Sequence, residues 1–415
     1  MKVFGHTFLR KNVFLFLGVL MVITGGVFFL YPIGHSAINT CKTFQNGQVE
    51  CEVKEIIKTS VAECLQGKWL ERKKQGCMKE LAYEFVSAYT IKDIQEALGS
   101  IEDSEFKHLC HEFMHYMGQD LYKYSENLTV AFSEAGSLCD SGMYHGISEE
   151  YITGQVLDGR VSSILSDLAK TGCEIFEGSL DIASGYRDLC YHGIGHGVMF
   201  AADYDLPTAL LYCEYTPYNF AAEACYNGVF MENISTAAFS GWSDHQSEFV
   251  VSLEDITYPC RVLNPQYHSL CYKFQGVALQ NRFKLTWEDA FLTCKEFPAQ
   301  YQTVCIQGLG SNIPGAHMSI AKGEEICRNA ALPLGKDAYE TCIQGAIMQL
   351  GQFHTGRSAP LVEFCLLVPK LYERSCWSVA RNTLMNWEVY ENQQGLCETF
   401  PEGLSRDICM SSKEG

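Results

Sequence analysis

The longest apolar run in the chain is Val13–Tyr31, nineteen residues without a charged side chain. At helical rise it spans roughly 30 Å, one hydrocarbon core. Lys2, Arg10 and Lys11 precede it, so the positive-inside bias keeps the N-terminus in the cytoplasm and exports the chain beyond Tyr31. A cleaved signal is the alternative, but its apolar core is usually ~7–15 residues. The pattern predicts a cytoplasmic tail over 1–12, a signal-anchor helix over 13–31 and a juxtamembrane linker over 32–52.

Beyond residue 52 the apolar positions take a helical period and recur in units. One kind of cysteine stands at 190, 225, 271, 305, 342, 376 and 409, at intervals of 33–46 residues. Each is preceded by a partner at 173, 213, 260, 294, 327, 365 or 397. Tyr186, Tyr267, Tyr301 and Tyr372 lie four residues before the second cysteine, as Phe106 does before Cys110. A glycine stands at +3 in Gly142, Gly193, Gly228, Gly308 and Gly345. Aromatic and cysteine share a helix face, and the glycine lets a neighbouring backbone come close. The first cysteine of each pair ends a short amphipathic stretch. One such stretch opens at Thr286-Trp-Glu-Asp289, which resembles a capping box; another has Pro207 in its first turn.

Each unit is therefore helix A, cysteine, loop, cysteine, helix B. The fold class is all-α: an N-terminal transmembrane helix and then a disulfide-stapled helical-hairpin array, an α-solenoid or, if it closes, an α/α toroid. The period is close to that of tetratricopeptide and Sel1-like repeats, but the Trp, Leu-Gly and Pro landmarks of the tetratricopeptide unit are missing. The array divides into His-rich repeats over 53–200 and Cys-paired repeats over 201–415.

Twenty cysteines in an exported chain imply disulfides. Proximity pairs Cys41 with Cys51, Cys64 with Cys77, Cys173 with Cys190, Cys213 with Cys225 and Cys260 with Cys271. It also pairs Cys294 with Cys305, Cys327 with Cys342, Cys365 with Cys376 and Cys397 with Cys409. Cys110 and Cys139 remain, both of the second type, and are expected to bond each other across two successive B helices. Hydrophobic content of 47% and charged content of 19% are those of an ordered chain. A net charge of −18 excludes the basic footprint of a nucleic-acid binder. Asn127-Leu-Thr129 and Asn233-Ile-Ser235 are glycosylation sequons.

Six of the twelve histidines fall between residues 108 and 196. Three B-type segments carry the pattern: Cys110-His111-Glu112-Phe-Met-His115, then Cys139 with His145, then Cys190-Tyr-His192 with His196. His-x3-His spacing puts both imidazoles on one helix face within reach of a single ion. His145 and His196 both stand at +6 from their cysteine. His111-Glu112-x-x-His115 is an HExxH, which in zinc peptidases supplies two ligands and the general base. His111 to Gly118 resembles the start of the metzincin pattern HExxHxxGxxH, but Leu121 occupies the place of its third histidine. The third ligand is then His145, with Glu149 or Glu150 as a gluzincin-like alternative.

Helices packed ~8–10 Å apart place B helices two units apart too far from each other to share an ion. His111, His115 and His145 are thus expected to form one site, and His192 with His196 a second unless the array curls tightly. With the thiols oxidised the metal is a divalent transition ion, zinc slightly ahead of copper or iron. The sequence predicts a membrane-anchored extracytoplasmic repeat protein with this metal site, and through Glu112 as catalytic base a metal-dependent hydrolase. The alternatives are a scaffold that docks a peptide or protein on its repeat face, or a protein that captures or senses metal.

Overall fold

The computed structural model describes residues 41–43, 49–51, 53–66, 71–101, 103–136, 138–155, 161–174, 184–238, 247–315, 319–354, 357–387 and 393–411. The apolar run Val13–Tyr31 lies outside them. Among the described residues no helix is long and apolar enough to cross a membrane. The stretch expected to be a plain linker carries a small hairpin, β1 (Cys41–Thr43) and β2 (Val49–Cys51), in which Cys41 stands opposite Cys51.

Everything else described is helical or connecting. The chain runs through α1 (Val53–Gln66), α2 (Glu71–Ala88), α3 (Ile91–Leu98), α4 (Ser104–Ser125), α5 (Leu128–Glu134) and α6 (Leu138–Gln155). Next come α7 (Val161–Leu168), α8 (Ser184–Ala201), α9 (Leu206–Cys213), α10 (Asn219–Ala238), α11 (His268–Asn281), α12 (Trp287–Thr293) and α13 (Gln302–Gly315). The last are α14 (Ile320–Ile326), α15 (Lys336–Phe353), α16 (Ala359–Leu367), α17 (Glu373–Asn386), α18 (Gln393–Glu398) and α19 (Leu404–Ser411). From α3 on, short A helices alternate with longer B helices, except that among the described residues no α-helix stands between α10 and α11, where Cys260 opens a 3-10 turn in place of ending the expected A helix. The B helices α4, α6, α8, α10, α11, α13, α15, α17 and α19 form one row, each packed on the next.

Local chemistry sets the A helices. Asp205 caps α9 by accepting from the Thr208 amide, with Pro207 in the first turn. Thr286 caps α12: its hydroxyl oxygen accepts from the Asp289 amide, and the hydroxyl donates to the Asp289 carboxylate at 2.8 Å. Nine of the ten expected disulfides are present, including Cys110–Cys139 between α4 and α6; the tenth, Cys41–Cys51, lies outside the described side chains. Within units they close loops of 11–17 residues, each contributing about 3 kcal/mol by restricting the unfolded chain. The aromatic before the second cysteine joins neighbouring units: Tyr267 meets Tyr226 edge-on, and Tyr301 stacks on Tyr272 at 4.5 Å.

The +3 glycines fix the spacing of the row. A Cβ on Gly228 would lie 2.0 Å from the His192 carbonyl oxygen, and one on Gly308 2.0 Å from that of Lys273. The backbones touch where a side chain would otherwise separate them. The row also bends back on itself. Helix α15 touches α6, and Trp387, just past α17, packs on Gly185 and edge-on against Tyr186 at the start of α8.

Candidate metal centre

Three consecutive B helices each present an i, i+4 pair to a common point: His111 and His115 from α4, His145 and Glu149 from α6, His192 and His196 from α8. Helix α10 adds Glu232. Asp103 starts α4 by accepting from the Glu105 and Phe106 amides. The start of α6 is less ordinary, since Cys139 and Ser141 hold φ of 52° and 62°, left-handed values that non-glycine residues seldom adopt. In that position the Cys139 carbonyl oxygen accepts from Nδ1 of His111 at 2.8 Å.

All five histidines form one cluster, which corrects the expectation of two separate sites. Ring centroids lie 4.7 Å apart for His111 and His115, 5.0 Å for His115 and His145, 4.1 Å for His145 and His196, and 5.0 Å for His192 and His196. His115 and His196, two units apart, are separated by only 5.7 Å. The reason is the glycine packing. A Cβ on Gly146 would meet the His115 carbonyl oxygen at 2.0 Å, and one on Gly193 the Tyr144 carbonyl oxygen at 2.9 Å. A glycine of α6 thus draws it onto α4, and a glycine of α8 draws that helix onto α6, so side chains of α4 and α8 reach each other across α6. Three sets of ligand atoms lie within 4.8 Å of one another: His111, His115 and His145; His145, His192 and His196; and His115, Glu149 and His196.

The nitrogens are oriented as well as gathered. Nε2 of His111 and Nε2 of His115 face each other at 3.1 Å, and Nε2 of His192 and Nε2 of His196 at 3.2 Å. Nδ1 of His145 is 3.1 Å from Nε2 of His115. The outer nitrogens have acceptors behind them. His111 has the Cys139 carbonyl, His115 has the Glu149 carboxylate at 2.8 Å, and His196 has the Glu232 carboxyl group at 2.8 Å. Gln119 donates to the other Glu149 oxygen at 3.1 Å.

Burial governs the charge. His145 and His196 are 1% exposed, Glu149 4%, and His192 and Glu232 8%, while His111 and His115 are partly exposed. Desolvation, reinforced by His115, lowers His111 and His196 to about 3. Burial first and His196 second hold His145 and His192 well below the ordinary histidine value. His115 is the exception: burial opposes its charge, but Glu149 outweighs it and the pKa rises. Burial, then Glu149, raises Glu232 to about 8. The cluster is thus mostly neutral imidazole, the protonation state a metal requires. Nε2 of His111, Nε2 of His115 and Nδ1 of His145 thus lie together where an ion could be held.

Glu112, the expected catalytic base, is turned about a quarter of the helix circumference from its flanking histidines. Its Oε1 accepts from the Tyr116 hydroxyl at 2.5 Å, and with Gln75, Met78, Leu109, Phe113 and Tyr116 it lines a small cavity. Glu150 pairs with Lys123. Glu149 enters the sequence reading only as an alternative ligand, and Glu232 does not enter it. The signals for these two were Glu149 at i+4 from His145 and Glu232 at +7 from Cys225, beside the +6 position that carries histidine in two earlier units. His268, outside the cluster, bridges the Tyr301 hydroxyl and the Leu263 carbonyl.

Compared with known protein families, curated proteins and solved structures, the chain matches none.

Proposed function

We propose that this chain is a metal-binding protein whose centre is the cluster of His111, His115, His145, His192 and His196, with Glu149 and Glu232 holding the rings in place. One observation carries the reading: paired Nε2 atoms face each other at 3.1 and 3.2 Å inside a buried site, with acceptors behind the outer nitrogens of three rings. A carbonyl or carboxylate behind the outer nitrogen is the usual support of a ligating histidine. Three buried imidazoles packed against two partly exposed ones without a cation between them would be a costly arrangement. Among the described residues the cysteines are all oxidised, so imidazole and carboxylate are the donors. That set suits zinc first, then copper(II) or iron. Metal analysis of the purified chain tests the reading. We expect bound transition metal that is lost on His111→Ala or His115→Ala and kept on His268→Ala. A folded chain that takes up no zinc, copper or iron would end it.

Hydrolysis is the second reading. Its support is the HExxH itself and the partial exposure of His111 and His115, which gives water an approach. Against it, Glu112 is engaged by Tyr116, so metal capture or sensing fits the geometry better. We place the protein at the membrane through residues 13–31, with the repeats outside. The described disulfides fit an oxidising compartment. Protease added to intact cells should degrade the repeats, and their protection would overturn that topology. The contacts of α15 with α6 and of Trp387 with Tyr186 favour closure over an open solenoid. The repeat face beyond α10 is the place we assign to a peptide or protein partner.

A further inference from the structure

The two all-histidine sets of ligand atoms share one member, His145. Its neighbours use their rings differently. His111, His115 and His196 each turn one nitrogen to an acceptor outside the cluster, which leaves one for a metal. His145 does not. Its Nδ1 faces His115 Nε2 at 3.1 Å. Its Nε2 is fully buried and has no hydrogen-bonding partner among the described residues. A buried ring nitrogen left without a partner is costly, and here it lies on the ring that the second set also uses.

We propose that His145 bridges two metal ions, one held with His111 and His115 and the other with His192 and His196. This rests on the metal-binding reading and adds a count and a connection to it. Each ion takes one ring nitrogen of His145, and the ring's proton leaves to solvent as the second bond forms. Ring nitrogens ~2.2 Å apart and metal–nitrogen bonds of ~2.0–2.1 Å put the ions about 6 Å apart. That exceeds the ~3.5–4 Å of two-metal hydrolytic clamps, so the pair is built for coupling through the ring and not for clamping one substrate oxygen. Glu149, and Glu232 once it gives up its proton, offset the added charge.

Copper(II) added to the full chain is a suitable probe, because spins joined by one imidazole ring couple. We expect two ions per chain. At two equivalents the integrated paramagnetic resonance signal per copper should fall well below that at one equivalent. His145→Gln, checked for its nine described disulfides by peptide mapping, should abolish this loss of signal. Saturation at one ion, or two ions with full signal in the unaltered chain, would overturn the bridge while leaving the metal site standing. No uptake at all would instead remove the metal-binding reading itself.

Discussion

Gly146→Ala is the sharpest test of how the site is assembled. The added methyl carbon would lie 2.0 Å from the His115 carbonyl oxygen and 2.9 Å from the Gln119 amide nitrogen. Ordinary contacts of this kind begin at 3.4 Å. Backbone cannot swing aside as a side-chain tip can, so α4 and α6 must part by roughly 1 Å. A metal site tolerates displacements of about 0.2 Å. Overpacking of this kind costs about 1–3 kcal/mol, and the better helix propensity of alanine returns up to about 1 kcal/mol. The net destabilisation is therefore modest, whereas the loss at the metal is large. Gly308→Ala is the matched control, since its methyl would meet the Lys273 carbonyl oxygen at the same 2.0 Å with no proposed ligands across that contact. Urea unfolding should show similar losses for both variants. Zinc titration should show binding abolished or weakened on the order of 100-fold in Gly146→Ala alone. Gly146→Ala that binds like the unaltered chain, or Gly308→Ala that loses metal equally, would refute the argument that glycine contacts set the ligand spacing.

Acid should destabilise the metal-free protein. His196, at about 3 when folded and ~6.5 unfolded, costs about 3 kcal/mol between pH 7 and 4, because the unfolded chain then binds the extra proton. Glu232, at about 8, returns a similar amount over the same range, since its folded form keeps a proton that the unfolded chain gives up above ~4.3. His145 and His192 share the direction of His196 and make the sum negative, so the urea midpoint should drop from pH 7 to pH 4. An unchanged midpoint would contradict the buried neutral cluster. Glu112→Gln should leave metal content unchanged, measured by elemental analysis, because Glu112 pairs with Tyr116; any hydrolytic activity that this variant abolishes would restore the peptidase-like reading. In a host that glycosylates its exports, glycopeptide mapping should find sugar at exposed Asn127 and none at Asn233. Asn233 is 3% exposed and donates to the Phe249 carbonyl, so occupancy there would require a different fold of α10.

Much of this was legible because the repeat fixes what is near what. The described disulfides, including the exception at Cys110 and Cys139, could be read from cysteine type and spacing alone. The alignment of His145 with His196 likewise placed both on one lining. Distance across the row was not legible. The sequence reading took helices at ordinary spacing, yet Gly146 and Gly193 bring backbones into contact and let His115 meet His196. Those glycines were visible, but their effect depends on register, and only the fold shows that Gly146 lies over His115. The partner of Glu112 was not legible for a related reason: a motif gives spacing along the helix, whereas the contact with Tyr116 depends on how that face packs. Glu232 was hidden because position +7 has no histidine to mark it.

The Cys110–Cys139 bond sets an order on the life of the molecule. It ties α4 to α6 one residue before His111, and the carbonyl of Cys139 steers the His111 ring. A newly made chain in a reducing cytosol lacks that tie, and with it the firm hold on the left-handed backbone at Cys139. On the proposed topology and the proposed metal centre, the ligands would then come into register only after export and oxidation, and metal would be drawn from the outer compartment.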